Sequence, residues 1–218
     1  MEFEEYLHGL RVWDVELPHF DPADAPAEPV ALFQDWLMHA GRAGQPEPHT
    51  MSLATVDVAG RPDVRTVMLH GADAAGWRFG SHSGSAKGRQ LAECPSAALG
   101  FYWPAVGRQV RVRGPVTTAG ASAAQADLHA RSTGALAAAL VGRQSEVLGS
   151  LDELAEASAA AWARASAAPD TPVPSWTLYV LDPVEVEFFQ GDARRRHVRL
   201  RYRRGGGGTG WEREHLWP

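Results

Sequence analysis

The sequence predicts a mainly β fold with flanking helices, in which short-linked antiparallel strands close towards a barrel. Three observations predict it. From Met51 onward, short β-type runs ("SLATVDV", "VRTVML", "WRFGS", "AALGFYW", "RQVRVRGPV") are separated by the turn signals "AGRPD" and "ADAAG". Strand character returns near the carboxyl terminus in "WTLYV", "VEVEFF", the stretch Arg194 to Arg204 and "WEREHLW", with "GGGGTG" as the turn joining the last two. Between the two sets, Ala121 to Ala168 is alanine-rich and helical.

Along the chain, residues 1–30 read as an amino-terminal arm, because Pro18, Pro22, Pro26 and Pro29 among several acids favour an extended segment. Residues 31–218 read as one domain: a chain of 218 residues, 44% hydrophobic, suits one sizeable core and is short for two. Leu32, Phe33, Trp36, Leu37 and Ala40 recur at helical spacing until "GRAGQPEP" stops the helix. "GSAKGRQLAECP" carries a serine cap, a helical stretch and a terminating proline. Ser150 and Glu153 form a capping-box pattern at the start of the last helix.

Composition narrows the function. Cys94 is the only cysteine, so no intramolecular disulfide forms and a reducing compartment is expected. No apolar run approaches the roughly 18–20 residues of a membrane span, and "MEFEEYLHGL" lacks the basic region of a secretory signal. The expectation is a cytoplasmic protein with no membrane partner. Lys87 is the only lysine against twenty arginines, a ratio that reflects the codon bias of a GC-rich genome and makes arginine arrangement more informative than arginine number.

That arrangement is uneven. "RRRHVRLRYRR" holds seven arginines and a histidine in eleven residues, and removing those seven charges from the formal −5 leaves −12 on the rest. Read as a strand, it places Arg195, His197, Arg199, Arg201 and Arg203 on one face, and Val198, Leu200 and Tyr202 on the other. The cationic face suits a solvated edge strand or a site for a small anionic molecule. A chain of pI near 6 with no other basic patch argues against nucleic acid. Elsewhere, "GSAK" at 84–87 puts small residues and a cation at a helix mouth, where free N–H groups attract anions. "VRTVMLH" alternates Arg65, Val67 and Leu69 with Thr66, Met68 and His70, and "RQVRVRG" presents Gln109 as an amide in need of partners.

Taken in order, "LATVDVAGRPDVRTVML", "GSAKGRQLAECPSAALGFYWP", "RQVRVRG", "RQS", "VEFFQG" and "RRHVR" resemble the pyridoxamine 5'-phosphate oxidase family from about Pro29 to Pro218. The resemblance implies an FMN-binding split β-barrel that works as a homodimer. It further implies an oxidase that passes hydride from an amine or other reduced donor to the flavin, with O2 as final acceptor. By motif, the FMN contacts fall on Arg65, Thr66, Leu69, His70, Gly80, Ser81, Ala86, Lys87, Gln109, Gln144, Ser145, Phe189 and Arg199, with Arg65, Ser81 and Lys87 on the phosphate. Arg195 and His197 match the family's Arg-x-His pair over the substrate, the catalytic pair that the resemblance implies.

Departures from the pattern bear on substrate. Where members acting on vitamin B6 clamp the substrate phosphate with lysine, tyrosine, arginine and serine, this chain has His70, Asp127, Arg131 and Ala135. Two like charges about 4 Å apart repel by roughly 4 kcal/mol at an effective dielectric of about 20, so the carboxylate disfavours a phosphorylated substrate. Ala86 stands where "GSRK" has arginine, and Val198 where an aspartate usually follows the histidine. "RQSEVL" and "HSGSAKGRQLA" resemble the branch of flavin oxidases of phenazine biosynthesis. The leading expectation is an oxidase of a reduced heterocycle or amine in specialised metabolism. Vitamin B6 phosphate oxidation and a non-catalytic flavin-binding module are the alternatives. No metal site is expected.

Overall fold

The computed structural model of the protein describes residues 2–206 and 210–218. Its elements run α1 (Phe3–Gly9), α2 (Pro29–Arg42), β1 (Thr50–Val56), β2 (Pro62–Met68), β3 (Gly71–Asp73), β4 (Gly76–His82), α3 (Ala86–Glu93), β5 (Ser96–Trp103) and β6 (Arg108–Thr118). They continue as α4 (Ala121–His129), α5 (Thr133–Val141), α6 (Leu151–Ala167), β7 (Trp176–Leu181), β8 (Glu185–Gln190), β9 (Val198–Arg204) and β10 (Trp211–His215). The elements expected from the sequence are all present, to within a few residues at their ends. The glycine turn "GGGGTG" falls mostly on positions 207–209, outside the described residues.

The chain divides into two compact units, one of Met1–His49, Gly100–Val112 and Glu185–Pro218, the other of Thr50–Leu99 and Arg113–Val184. Strands β5 and β6 contribute residues to both.

In the first unit the strand order is β10-β9-β8-β6. Pro29 begins α2 at a position that has no use for a backbone N–H. The 3.6-residue repeat then buries Leu32, Phe33, Trp36 and Ala40. Phe33 meets Phe101 edge to face at 4.9 Å, and Trp36 meets Phe188 at 5.2 Å. Each such side chain contributes about 2–3 kcal/mol by leaving water. Arg108 lies in this core with its guanidinium 4.2 Å over the Trp36 ring and its Nε donating to Gln190 Oε1 at 2.9 Å; burial pushes its pKa down to about 10.

β9 alternates as its sequence requires, with Leu200 and Tyr202 buried and Arg199, Arg201 and Arg203 on the other face. That cationic row is matched across the strands. Arg201 donates from Nε and Nη2 to Glu214 Oε2 at 2.8 and 2.5 Å, and β8 sets Glu185 and Glu187 opposite Arg203 and Arg201. Arg201 and Arg203 therefore belong to a cross-strand ion network.

One expectation is corrected here. The strand does not extend over Arg194–His197: β9 begins at Val198. Asp192 gathers the preceding residues into a turn, its carboxylate accepting from the N–H groups of Arg194 and Arg196 and its carbonyl from Arg195. Arg195 sits in the left-handed region at φ 63°, so strand alternation does not set its direction or that of His197. The arm also departs from a wholly extended form, with α1 at Phe3–Gly9 and a short 3₁₀ turn at Pro22–Asp24.

In the second unit β1 and β2 form an antiparallel hairpin with Thr55 opposite Asp63 and Leu53 opposite Arg65. β4 pairs with β3 and β7, and β7 pairs with the end of β6. The alanine-rich segment forms α4, α5 and α6, whose Leu128, Leu136, Ala137, Ala139 and Ala165 make a small core with Val173. Alanine there permits close helix approach. Ser150 caps α6 by accepting from Glu153 N–H, while the Glu153 carboxylate reaches Gly149 N–H, one residue before the cap.

Candidate functional site

In the second unit, β4 delivers Gly80 and Ser81, and the chain turns through 83–85 into α3. Ser85 caps that helix by accepting from Gly88 N–H at 3.2 Å. From the second residue of the helix, Lys87 Nζ donates to Ser81 Oγ at 3.2 Å, and Ser145 Oγ accepts from Ala86 N–H at 3.1 Å. The sequence-distant "GS", "GSAK" and "RQS" motifs thus converge at one helix mouth. Ser145 reaches it with a left-handed backbone (φ 72°), next to an exposed Gln144. Burial first, and the nearby Arg65 second, lower the pKa of the Lys87 ammonium, while Asp63 opposes them. A half-buried cation of this kind gains from an anionic ligand.

Arg65 on β2 faces the same cluster. Its Nη1 donates to Thr55 Oγ1 at 2.6 Å and Leu53 O at 3.1 Å, and its Nη2 lies 2.5 Å from Asp63 Oδ2 and 3.1 Å from Gln90 Oε1. Thr66 is exposed and Leu69 half-buried.

His70 and Asp127, assigned to one substrate clamp from the sequence, meet. His70 Nδ1 lies 2.9 and 3.0 Å from the two Asp127 oxygens, with side chains only 5% and 16% exposed. Trp176 Nε1 donates to Asp127 Oδ2 at 3.4 Å, and its ring stacks beside His70. Burial alone raises the Asp127 pKa, but the His70 hydrogen bond and charge, Trp176 and Arg131 together bring it below its ordinary value. A carboxyl depressed on folding stabilises the protein above the ordinary carboxylate range and loses that contribution as pH falls through its lowered value. Asp127→Asn is therefore expected to lose stability less steeply than the native chain as pH falls below about 4. An unchanged acid limb in circular dichroism would count against the pair.

Arg131 reaches Met68 Sδ at 3.6 Å beside this pair, whereas Ala135, in the first turn of α5 with its N–H on Ser132 Oγ, carries no ligating group. Gly80 lies beneath the pair. A Cβ there would stand 2.4 Å from Trp176 Cζ2 and 2.6 Å from His70 Cε1, so Gly80→Ala is expected to cost about 1–3 kcal/mol in urea unfolding.

In the first unit, Gln109, Arg111, Glu187, Phe189, Arg199 and Pro218 line a cavity of about 290 Å³. Buried Glu187 organises it: Arg111 Nη2 pairs with one oxygen, while Arg199 gives Nε at 2.9 Å and Nη2 at 2.8 Å to the other. Arg199 Nη1 holds the Trp217 carbonyl at 2.7 Å, fixing the last residues of the chain. His197 Nδ1 accepts the Asp192 N–H at 3.1 Å, which leaves the neutral ring's proton on Nε2. This contact comes from the Asp192 backbone, and the Asp192 carboxylate is engaged with Arg194 and Arg196 instead. Arg195 is exposed.

Sequence reasoning missed two participants. Trp13 packs edge-on to His197 at 5.4 Å and lies 6.2 Å from Phe189, with a left-handed backbone (φ 53°) and a buried indole N–H that has no partner among the described residues. Its ring fills the space over Gly191, where a Cβ would come within 2.8 Å. Nothing in the arm's proline-rich pattern marks it. Glu187 did carry a signal, since "VEVEFF" sets two glutamates on one face of a strand beside an arginine-rich one.

Residues 37–163 match the family model described as "Pyridoxamine 5'-phosphate oxidase". The chain belongs to the pyridoxamine 5'-phosphate oxidase family. Residues 176–218 match the "Pyridoxine 5'-phosphate oxidase C-terminal dimerisation region". Among similar proteins, a pyridoxine/pyridoxamine 5'-phosphate oxidase of Pseudomonas fluorescens is 43% identical over 199 residues, covering 90% of this chain and 91% of that protein. One of Bradyrhizobium diazoefficiens is 39% identical, covering 88% and 90%. Among solved structures, PhzG from Burkholderia lata, in complex with tetrahydrophenazine-1-carboxylic acid, matches with a TM-score of 0.86 and 32% identity over 93% of this chain and 99% of that one. This member of the family is thus a flavin-dependent oxidoreductase with a mainly β, split-barrel fold and flanking helices. Among the described residues no helix is long and apolar enough to cross a membrane.

Proposed function

We propose that the protein is an FMN-dependent oxidase that takes hydride from a reduced heterocycle or amine bearing no phosphate, with O2 as final acceptor and the homodimer as working form. The observation that carries this reading is the closed His70–Asp127 pair. The resemblance puts substrate-phosphate ligands at these positions, and here a buried carboxylate takes the partner a phosphate needs.

FMN fits the donor set. Lys87, Ser81 and Arg65 at the mouth of α3 offer two cations and a hydroxyl to its phosphate. Taken by itself, the first-unit cavity lined by Gln109, Phe189 and Arg199 offers an amide, a ring and a guanidinium. When bound, FMN supplies a two-electron acceptor that O2 reoxidises. The chain's own residues do the rest. Arg195 offers an exposed guanidinium that can orient a substrate carboxylate, and His197 presents Nε2–H as a donor in the state held by Asp192. In that state His197 orients the substrate; it serves as a base at Nε2 only in the other tautomer, with the proton on Nδ1 and the Asp192 N–H contact given up. Similarity to PhzG, solved with a carboxylated tricycle, supports a carboxylate-bearing ring as substrate.

The second reading is vitamin B6 phosphate oxidation, favoured by 43% identity to a relative of that name. Peroxide release from pyridoxamine 5'-phosphate and from tetrahydrophenazine-1-carboxylic acid, with anaerobic bleaching of the flavin, separates the two. Efficient turnover of the phosphate ester with no bleaching by the tricycle would replace the leading reading with the second.

A further inference from the structure

The cations at the mouth of α3 already face a carboxylate of the chain itself. Asp63 stands on β2 two residues before Arg65, so the two side chains share a strand face. Asp63 Oδ2 lies 2.5 Å from Arg65 Nη2 and accepts from Gln90 Nε2 at 3.3 Å. Arg65 also donates to the Asp63 carbonyl at 3.4 Å, and its other contacts are to Thr55 Oγ1, Leu53 O and Gln90 Oε1. Charge makes the consequence plain. Arg65 and Lys87 together carry two positive charges, which match a phosphate monoester of charge near −2 at neutral pH. Asp63 cancels one of them, and Ala86 adds no third cation.

We propose that Asp63 is an affinity-setting residue that competes with the cofactor's phosphate for Arg65, so that FMN is held less tightly than the same two cations alone would hold it. This rests on the reading that the FMN phosphate lies at Arg65, Ser81 and Lys87. An arriving phosphate either displaces the Asp63 carboxylate from Nη2 or accepts a like charge beside it, and both reduce affinity. The Asp63 side chain is 47% exposed, so it swings into water at small cost and modulates binding without blocking it. Competition of this kind acts on the phosphate and not on the isoalloxazine.

The test titrates flavin-free protein with FMN and with riboflavin, which lacks the phosphate, following quenching of flavin fluorescence in the native chain, Asp63→Asn, Asp63→Ala and Lys87→Met. Circular dichroism melts verify that each variant is folded. Both Asp63 variants are expected to bind FMN about fivefold more tightly, as for removal of one partly exposed ion pair, with riboflavin affinity unchanged. Equal or weaker FMN binding by the Asp63 variants, alongside loss of FMN by Lys87→Met, would overturn the competition and make Asp63 a positioning group for Arg65. If Lys87→Met leaves FMN affinity unchanged as well, the phosphate does not bind here, and the reading beneath the inference fails first.

Discussion

Lys87→Met lowers FMN affinity on the order of a hundredfold, the equivalent of about 2.7 kcal/mol and within the range of a charge-assisted hydrogen bond in a partly desolvated site. The size of the effect follows from where the ammonium sits. It is half-buried, held at Ser81 Oγ, and its pKa is pushed down by burial and by Arg65. Removing the charge relieves that strain in the free protein but leaves a phosphate facing Arg65, whose Nη2 is already engaged by Asp63. Ala86 presents a methyl group where the family motif has arginine, and Arg89, the other cation of this turn, is turned to the Gly84 carbonyl. The measurement is FMN titration by fluorescence, with the flavin content of the purified protein as a second readout. A variant that stays fully yellow with unchanged affinity would remove the phosphate from this helix mouth.

Asp127→Asn raises kcat/KM for pyridoxamine 5'-phosphate by about ten- to a hundredfold. The Coulomb estimate of roughly 4 kcal/mol for two like charges about 4 Å apart is an upper bound near a thousandfold, and solvent reaching the 16%-exposed carboxylate reduces it. The amide keeps an oxygen for His70 and a shape close to the carboxylate, so the fold is retained. The double substitution His70→Lys with Asp127→Tyr, which introduces the residues that the resemblance implies for members acting on vitamin B6, is expected to gain further. Turnover of an unphosphorylated substrate should change by less than about threefold, since no phosphate is there to be repelled. Steady-state peroxide assays on both substrates decide it: equal response of the two would show that Asp127 acts through folding and not through charge at the site.

The strands, the helices and most of the motif order are legible in the sequence because each follows from a local rule. Period-two alternation marks β9, in which Leu200 and Tyr202 are buried, and the serine caps at Ser85 and Ser150 mark the starts of α3 and α6. The same alternation misleads at Arg194–His197. Residue type alone continues the strand there, whereas Asp192, acting through its carboxylate and carbonyl, folds those residues into a turn and sets Arg195 left-handed. The role of the arginine row was also open to sequence. Its resolution into an ion network needed the register that sets Glu185, Glu187 and Glu214 across from Arg203 and Arg201.

By itself the sequence determined the family, the order of the elements and the unusual identities His70, Ala86 and Asp127, because those are properties of residues and spacing. The tertiary structure alone decided that His70 and Asp127 close on each other, that Gln90 of α3 meets Asp63 and Arg65, and that Trp13 packs on His197. The physical reason is that charge pairing and burial depend on distance in space. Residues separated by 57 positions in sequence reach hydrogen-bonding range only once β2, α4 and the sheet between them have formed.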